Sequence, residues 1–364
     1  MINGTNVENV SEFKYLGITI HKKKCSFKPT LKHLKTKATR AIYALKSKIN
    51  FRHLKIETAL KLFDAMIKPI LLYGSEVWEP YLDLSPDDWD KCDVEKCYTQ
   101  FLKQLLGVNR STTTILVRGE LMRHSLQEEI LRRNIKYATY INEKSDNSYV
   151  KQAYNYELSR ELGKTTFHST INKHAEALFT ANNFSPYADP YVNIYKMGTT
   201  KIRSITGQLF QTLWKEKLET SSKADTYKTF KTTMKFEPYL RHNNRQERVS
   251  YTKLRTSDHK LRIEEMRHRR PKPPRHERTC HMCQNQVEDE IHFLTTCQLY
   301  GNQTAYWNHM VEKCPQIQNM DHNQKFIYIM TQEDADITAL TMTLVDKQLR
   351  LRYYLSDLFY HPKT

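Results

Sequence analysis

The residues best equipped for chemistry stand near the C-terminal end of the chain: Cys280-His281-Met282-Cys283, then His292 after eight residues and Cys297 after four more. Thiolates and imidazoles are the donors zinc prefers in a tetrahedron. Two cysteines separated by two residues can turn around one ion, while His292 and Cys297 supply the other pair from one short segment. Four protein ligands leave no coordination position for water, so the array predicts a structural zinc that folds a small module rather than a hydrolytic centre. The competing reading is three unrelated cysteines and a scattered histidine. Clustering of three of the seven cysteines within 18 residues favours the metal. His281 is a weaker substitute ligand, and Cys25, Cys92, Cys97 and Cys314 have no such company and read as core or surface thiols. An odd number of cysteines spread over a long chain also argues against a disulfide scaffold.

Asp87-Asp88 invites comparison with a carboxylate pair for magnesium-dependent phosphoryl transfer. Its context opposes that, because such a pair needs a strand turn, whereas Ser85-Pro86-Asp87-Asp88 has the order of a helix start, with a serine cap, a first-turn proline and carboxylates at the positive end of the dipole. Glu288-Asp289-Glu290 lies inside the zinc spacer and is expected to cap the turn carrying His292. The nine glycines never cluster into a phosphate-cradling loop. No Ser/His/Asp or Cys/His arrangement can be argued from spacing.

The chain has 364 residues and a formal charge of +17, unevenly placed. Residues 21–55 hold twelve Lys or Arg and no Asp or Glu, and residues 241–278 hold thirteen against five acids. These blocks carry +12 and +8, so the remainder is close to neutral at about −3. Such blocks neutralise phosphates and release counterions, which gives tight, salt-sensitive, sequence-tolerant binding; a merely solvated helix face is the alternative. The cations expected to meet phosphate are Lys22, Lys23, Lys24, Lys28, Lys32 and Lys35 in the first block. In the second they are Arg267, Arg269, Arg270, Lys272 and Arg275, in an extended proline-containing run that leads into the cysteine cluster. Tyr227, Phe230, Phe236 and Tyr239 alternate with Lys228, Lys231, Lys235 and Arg241. That is the composition of a base-stacking groove, but Tyr227, Phe230 and Met234 also fit a buried helical stripe.

The elements that must position these groups are mostly helices. Residues 13–20 read as strand after an Asn3-Gly4 turn signal. Leu31, Leu34, Ala38, Ala41, Ile42, Leu45 and Ile49 predict an amphipathic helix over about 29–49 with lysines outward. A second helix carries Leu60, Phe63, Ile67 and Leu71, kinked or ended by Pro69. One helix starting at Ser85 is expected to bury Trp89, Cys97, Phe101 and Leu105 and to stop at Gly107. Others are expected near 113–123, 125–143 with a Ser125/Glu128 capping box, 147–162 and 199–220. Residues 181–197 read as a linker. Ile337, Leu340, Leu344, Leu351, Leu355 and Phe359 give a long C-terminal amphipathic helix. The fold class expected is mainly α with a short N-terminal β-hairpin. No run approaches the ~18 apolar residues of a membrane span, and Met1 opens no secretory leader, so a soluble intracellular protein, nuclear or cytoplasmic, is expected.

Several landmarks together resemble the C-terminal half of the reverse transcriptase polyprotein of LINE-type (non-LTR) retrotransposons. Phe13-Lys14-Tyr15-Leu16-Gly17 looks like the hairpin at the end of the palm that grips the primer terminus, with Tyr15, Leu16 and Gly17 as its tip. Ile70-Leu71-Leu72-Tyr73-Gly74-Ser75-Glu76-Val77-Trp78 is similar to the helix and turn of the thumb, and Leu106-Gly107-Val108 followed by Gly119-Glu120-Leu121 matches what often comes next. Met122 stands where such relatives often have Gly. Arg255-Thr256-Ser257-Asp258-His259, Ile263-Glu264 and the Cys/Cys/His/Cys array around Glu288-Asp289-Glu290-Ile291-His292-Phe293 resemble the family's terminal zinc module. The resemblance implies a palm-end hairpin over 1–22, a basic thumb-like region over 23–150, a helical connector over 151–240, a basic segment with the zinc module over 241–300 and a helical tail over 301–364. It implies RNA and DNA as partners, in template-primer and target site, with no membrane, during target-primed reverse transcription. The family's aromatic-x-Asp-Asp strand turn is not in this sequence, so the chain alone is expected to bind nucleic acid and not to polymerise it. Magnesium enters only if a palm and fingers portion is supplied elsewhere. The rival expectation is a zinc-containing interaction protein, or a degenerate element fragment, with no catalytic role.

Overall fold

A computed structural model of the chain describes residues 8–22, 26–82, 84–159, 166–182, 194, 196–297 and 303–360, with side chains for all of these except 86, 87, 303 and 356–360. The chain is mainly helical, with a two-stranded antiparallel hairpin near the N-terminus and a Cys/Cys/His/Cys group. It divides into two units, Met1–Gln100 with His124–Leu213 and Phe101–Arg123 with Trp214–Thr364. The Asn3-Gly4 signal lies outside the described residues, as does most of the linker expected over 181–197.

In the first unit, β1 (Glu12–Tyr15) pairs with β2 (Ile18–His21), and Tyr15 opposite Ile18 closes a two-residue turn. Leu16 and Gly17 both take positive φ, 47° and 86°, the handedness a tight hairpin needs to match strand twist. The hairpin is pinned to α1 (Lys28–Lys48) through Thr30, whose buried hydroxyl accepts from the Thr19 amide at 2.7 Å and donates to the Thr19 carbonyl at 2.8 Å. Leu31, Leu34, Ala38 and Ile42 recur at three and four and are buried, so α1 turns one apolar stripe inward. Lys46 and Lys48 in its last turn complement the helix dipole.

Pro69 does not break the second helix outright. After α2 (Ile56–Leu62) the chain opens into a π-turn at Phe63–Ile67, and Pro69 sits in the first turn of the next piece, Lys68–Leu71. The wider turn makes room for a ring that has no N–H to donate. Similarly, the single helix expected from Ser85 is two. Ser85 caps Pro86–Trp89 by accepting from the Asp88 amide at 3.1 Å, and α3 (Asp93–Leu106) starts afresh, burying Cys97, Phe101, Leu102 and Leu106 while Leu105 is half-buried.

Further along come α4 (Thr114–Leu121), α5 (Leu126–Asn142), α6 (Tyr149–Ser159), α7 (Phe167–Ala181) and α8 (Thr199–Thr220). Ser125 caps α5, but Glu128 does not reach back to close a box. The Ser125 hydroxyl and the Leu126 amide both donate to the buried Glu95 carboxylate, at 3.1 and 3.0 Å, and Glu128 pairs with Arg132 at 2.9 Å. Leu131, Ile135, Ala175, Leu178, Ile202, Ile205 and Leu209 bring α5, α7 and the first half of α8 into one apolar cluster.

The second unit contains α4, α9 (Arg245–Arg255), α10 (Gln303–Lys313), α11 (His322–Met330) and α12 (Ala335–Tyr360). The inward face of α12 keeps part of the expected stripe: Ile337 and Leu344 are buried and Leu355 is half-buried, while Leu340 and Leu351 face solvent and Thr341, Val345, Gln348, Leu349 and Arg352 are buried; the Phe359 side chain lies outside the described residues. Apolar periodicity misses the rest of this face because a buried arginine lies on it.

Helix α4 ends on Met122 with φ 51° and ψ 54°, the left-handed residue that terminates many helices. A side chain there is strained and glycine is not. Met122 is 55% exposed, so little packing is lost on truncation, and Met122→Gly is expected to raise unfolding free energy by about 1 kcal/mol, read as a higher urea midpoint with an unchanged slope.

Candidate metal centre and nucleic-acid interface

A short antiparallel bridge between Thr279 and Val287 sets up the metal-ligand group in the second unit. The Cys280 amide donates to the Gln286 carbonyl at 2.8 Å, and the Gln284 amide returns to the Cys280 carbonyl at 2.9 Å with Gln284 at φ 57°. This knuckle points Cys280 and Cys283 to the same side. Asp289 then starts the turn that carries the other pair: its carboxylate accepts from the His292 amide at 2.9 Å, and the π-turn His292–Thr296 closes when the Cys297 amide reaches the His292 carbonyl at 3.0 Å. Of the acidic group in the spacer, Asp289 caps this turn as expected, while Glu288 and Glu290 bond elsewhere.

One atom each from Cys280, Cys283, His292 and Cys297 lies within 4.8 Å of every other, and this group can hold a metal ion. The sulfurs of Cys280 and Cys297 are 3.9 Å apart, and the Cys283 sulfur is 3.4 Å from His292 Nε2. A tetrahedron with Zn–S of about 2.3 Å and Zn–N of about 2.0 Å has edges of roughly 3.5 to 3.8 Å. Meanwhile His292 Nδ1 donates to the Gln286 amide oxygen at 3.0 Å, which leaves the Nε2 lone pair facing the sulfurs. Without a cation the Cys280 thiol resists ionisation. The hydrogen bond with Cys297, together with burial, pushes Cys280 up to about 12, and a divalent ion reverses that preference. His281 stays outside the group.

Behind the ligands the three spacer acids have separate partners. Glu288, fully buried, accepts from Arg352 of α12 and from the Arg262 amide, each at 2.8 Å, and its carboxylate stands 3.8 Å from the Cys280 sulfur. Asp289 also meets Arg275 at 3.1 Å. Glu290 receives His259 at 3.0 Å, Ser257 at 3.1 Å and Thr226 at 2.9 Å. Burial alone would raise its pKa, but the His259 bond and charge outweigh that and draw it down to about 2.

Sequence reasoning misses the other polar centre of this unit. Arg255, buried, donates through Nε and one terminal nitrogen to Glu120 of α4 at 2.8 and 3.1 Å, to Glu237 at 2.9 Å and to the Met330 carbonyl at 2.7 Å. Phe230, Tyr239 and Tyr251 surround its guanidinium with ring centres at 4.7, 5.2 and 5.6 Å. Lys231 pairs with Glu237, and the Tyr227 hydroxyl donates to Glu120 at 2.9 Å. Three of the four aromatics whose composition suggests a stacking groove are therefore core around a buried ion cluster: Tyr227, Phe230 and Tyr239, like Met234, are under 9% exposed, while Phe236 is half-buried with the Arg241 guanidinium 5.4 Å over its ring. The sequence does hold a clue, since Glu120 stands in the mostly apolar segment Ile115–Met122 and a carboxylate there needs a partner.

On the first unit, the outer face of α1 presents Lys28, Lys32, Lys37, Arg40, Lys46 and Lys48 to solvent. Lys35 is half-buried and paired with Asp93 at 2.8 Å. Lys22 is exposed and bonded to Asn9, and Lys23 and Lys24 lie outside the described residues. The positive field of this face registers on His33, whose pKa is pushed down by burial and then by Lys14, Lys37 and Arg40. In the second unit Arg269, Arg270 and Lys272 are exposed, while Arg267 is tied to Glu264 at 2.6 Å and to the Ser222 carbonyl at 2.9 Å.

The hairpin tip meets the Tyr73-Gly74 turn. Tyr73 donates its hydroxyl to the Leu16 carbonyl at 2.8 Å, and a Cβ on Gly17 would sit 3.1 Å from the Tyr73 ring. Gly74 has φ 63°, and a Cβ there would be 2.6 Å from Ile18 Cδ1. Tyr15 and Leu16 are 62% and 73% exposed, so the tip leaves two large side chains uncovered. No family model, no curated protein and no solved structure matches the chain, and the chemistry of both surfaces rests on the residues themselves.

Proposed function

We propose that this chain is a nucleic-acid-holding part of a LINE-type reverse transcriptase, gripping template-primer with its first unit and template or target strand with a zinc module in its second. The observation that carries the reading is α1, a 21-residue helix with an apolar inner stripe, six exposed cations and no carboxylate. Surfaces of that kind follow a phosphate backbone without reading bases. Two further facts support it. The hairpin that resembles a primer grip is locked to the Tyr73-Gly74 turn that resembles the thumb, and Gly119-Glu120-Leu121 is joined to Arg255 by an ion pair.

In the metal module, Cys280, Cys283, His292 and Cys297 would hold zinc, which supplies four fixed bonds and no open position for a substrate. The chain's own residues do the rest: Gln286 orients the imidazole, and Glu288 with Arg352 anchors the knuckle to α12. Arg269, Arg270 and Lys272 stand exposed just ahead of the ligands. Polymerisation belongs to a palm that brings two magnesium ions, and this chain holds the strands for it.

Salt titration of duplex affinity tests the reading. If about five α1 cations reach phosphates, log Kobs falls against log salt with a slope of about −4.5, a loss of roughly 500-fold between 50 and 200 mM. Lys32→Glu with Lys37→Glu should flatten that slope by about two. Affinity that ignores salt would favour the zinc-containing interaction protein instead.

A further inference from the structure

A second basic surface lies in the first unit, outside both charge blocks of the sequence. A cleft of about 700 Å³ opens between one face of α5 and the start of α8. It is lined by Arg132, Arg133, Lys136, Tyr137 and Tyr140 from α5 and by Arg203 from α8, with Glu76 and Glu129 also on the wall. The α5 residues are three and four apart, so a single helical face carries both rings and three cations.

The cations are not equivalent. Arg132 pairs with Glu128 and Glu129, and Arg133 donates to the Leu72 carbonyl at 3.0 Å and approaches Glu129 at 3.7 Å. These contacts neutralise Glu129. The Lys136 and Arg203 side chains are exposed and make no ion pair or hydrogen bond with any described residue. The Tyr137 and Tyr140 rings are nearly parallel, 15° apart with centres at 6.2 Å, and Lys144 Nζ rests 4.4 Å over the Tyr140 ring. A stacked planar group would take the place that Lys144 holds there.

The opposite wall begins with the N-terminus of a 22-residue helix. Gly198 precedes it and accepts the first helical bond, from the Ile202 amide at 3.1 Å. A glycine has no side chain to cap the remaining first-turn amides, and nothing lies within 4 Å of where its Cβ would be. A positive dipole end, two uncommitted cations and a pair of rings within one nucleotide-sized cleft are a matched set for phosphate and base.

We infer that this cleft binds single-stranded nucleic acid, one base stacking on the Tyr137/Tyr140 pair and its phosphate meeting Lys136, Arg203 and the start of α8. The inference rests on the nucleic-acid reading above but uses a surface separate from the α1 face. A strand leaving the duplex there would be held by stacking and phosphate contacts, without sequence readout.

Affinity of the full chain for oligouridylate and for a blunt hairpin duplex tests it. Tyr140→Ala should weaken oligouridylate binding about tenfold and leave duplex binding within twofold, while Tyr140→Phe keeps the ring and wild-type affinity. Lys136→Ala with Arg203→Ala should weaken the single strand and reduce its salt slope by about 1.4. All three positions are on the surface of α5 or α8, and helical content by circular dichroism should match the parent. Unchanged oligouridylate binding in both sets of variants, with duplex binding still lost in the α1 variants, overturns the cleft and spares the α1 reading. A wild-type chain that binds neither probe overturns both.

Discussion

Cys280→Ser combined with Cys283→Ser is expected to abolish one equivalent of bound zinc and to unravel the segment from Thr279 to Cys297. Structural zinc in small modules contributes about 10–16 kcal/mol of binding free energy at neutral pH, and most of that is folding free energy. Between the two cysteines the backbone has only a single bridge from Thr279 to Val287 and a few amide bonds around Cys280, and the spacer is tied to the rest of its unit through Glu288 and Glu290. The collapse should not stop there. Glu288 lies in the spacer between the cysteine pair and His292, and its pairing with Arg352 fixes the last turns of α12. Amide exchange in the zinc-free chain should accelerate at 279–297 and around Arg352, while α1 keeps its protection. Cys314→Ser, at a half-buried cysteine outside the group, should retain the zinc. A double variant that still binds one zinc with parental affinity would refute the ligand assignment.

The metal group is legible in sequence because its information is local. Spacing within 18 residues decides whether four donors can meet, and the knuckle and turn that bring them together are themselves short-range. The same holds for α1, whose apolar stripe and lysine face are written in one 21-residue period. Pairing at long range is what the sequence does not show. Glu120 finds Arg255 across 135 positions, and Glu288 finds Arg352 across 64. Neither Arg255 nor Arg352 carries a local mark, and each of the two alone looks like a surface charge. Tyr227, Phe230 and Tyr239 are ambiguous for the same reason: aromatics interleaved with cations describe a stacking groove and a buried cation–π cluster equally well. Only the location of Arg255 decides between them. In the α5 cleft, both tyrosines and Lys136 share one helical period, but Arg203 comes to face them only because the apolar cluster of α5, α7 and α8 folds the start of α8 against α5.

Arg255→Met should destabilise the second unit by about 3–5 kcal/mol, the cost typical of stranding a buried partner. Arginine at this position satisfies two carboxylates and a helix-end carbonyl at once, whereas methionine fills much of the volume and satisfies none of them. Lys231 would remain as one cation for Glu120 and Glu237. The pH dependence identifies the mechanism. In the parent, burial raises the Glu120 pKa, but Arg255 and Lys231 overcome it and hold the carboxyl below its ordinary value. A depressed folded pKa means that Glu120 contributes stability above the unfolded carboxylate pKa, near 4.3, and loses it as pH falls below that. With Arg255 removed, burial dominates, the folded pKa rises, and the contribution reverses: the variant becomes less stable as pH climbs through about 4.3 toward neutrality. Urea unfolding at pH 4 and pH 7 should therefore show a larger gap between parent and variant at pH 7. Glu120→Gln in the Arg255→Met background removes the stranded charge and should recover part of the loss at pH 7 but little at pH 4, a coupling that a simple cavity would not produce. Equal losses at both pH values would mean that Arg255 acts there by packing against Phe230, Tyr239 and Tyr251 alone, and the ion cluster would then be a passenger in the core rather than its clamp.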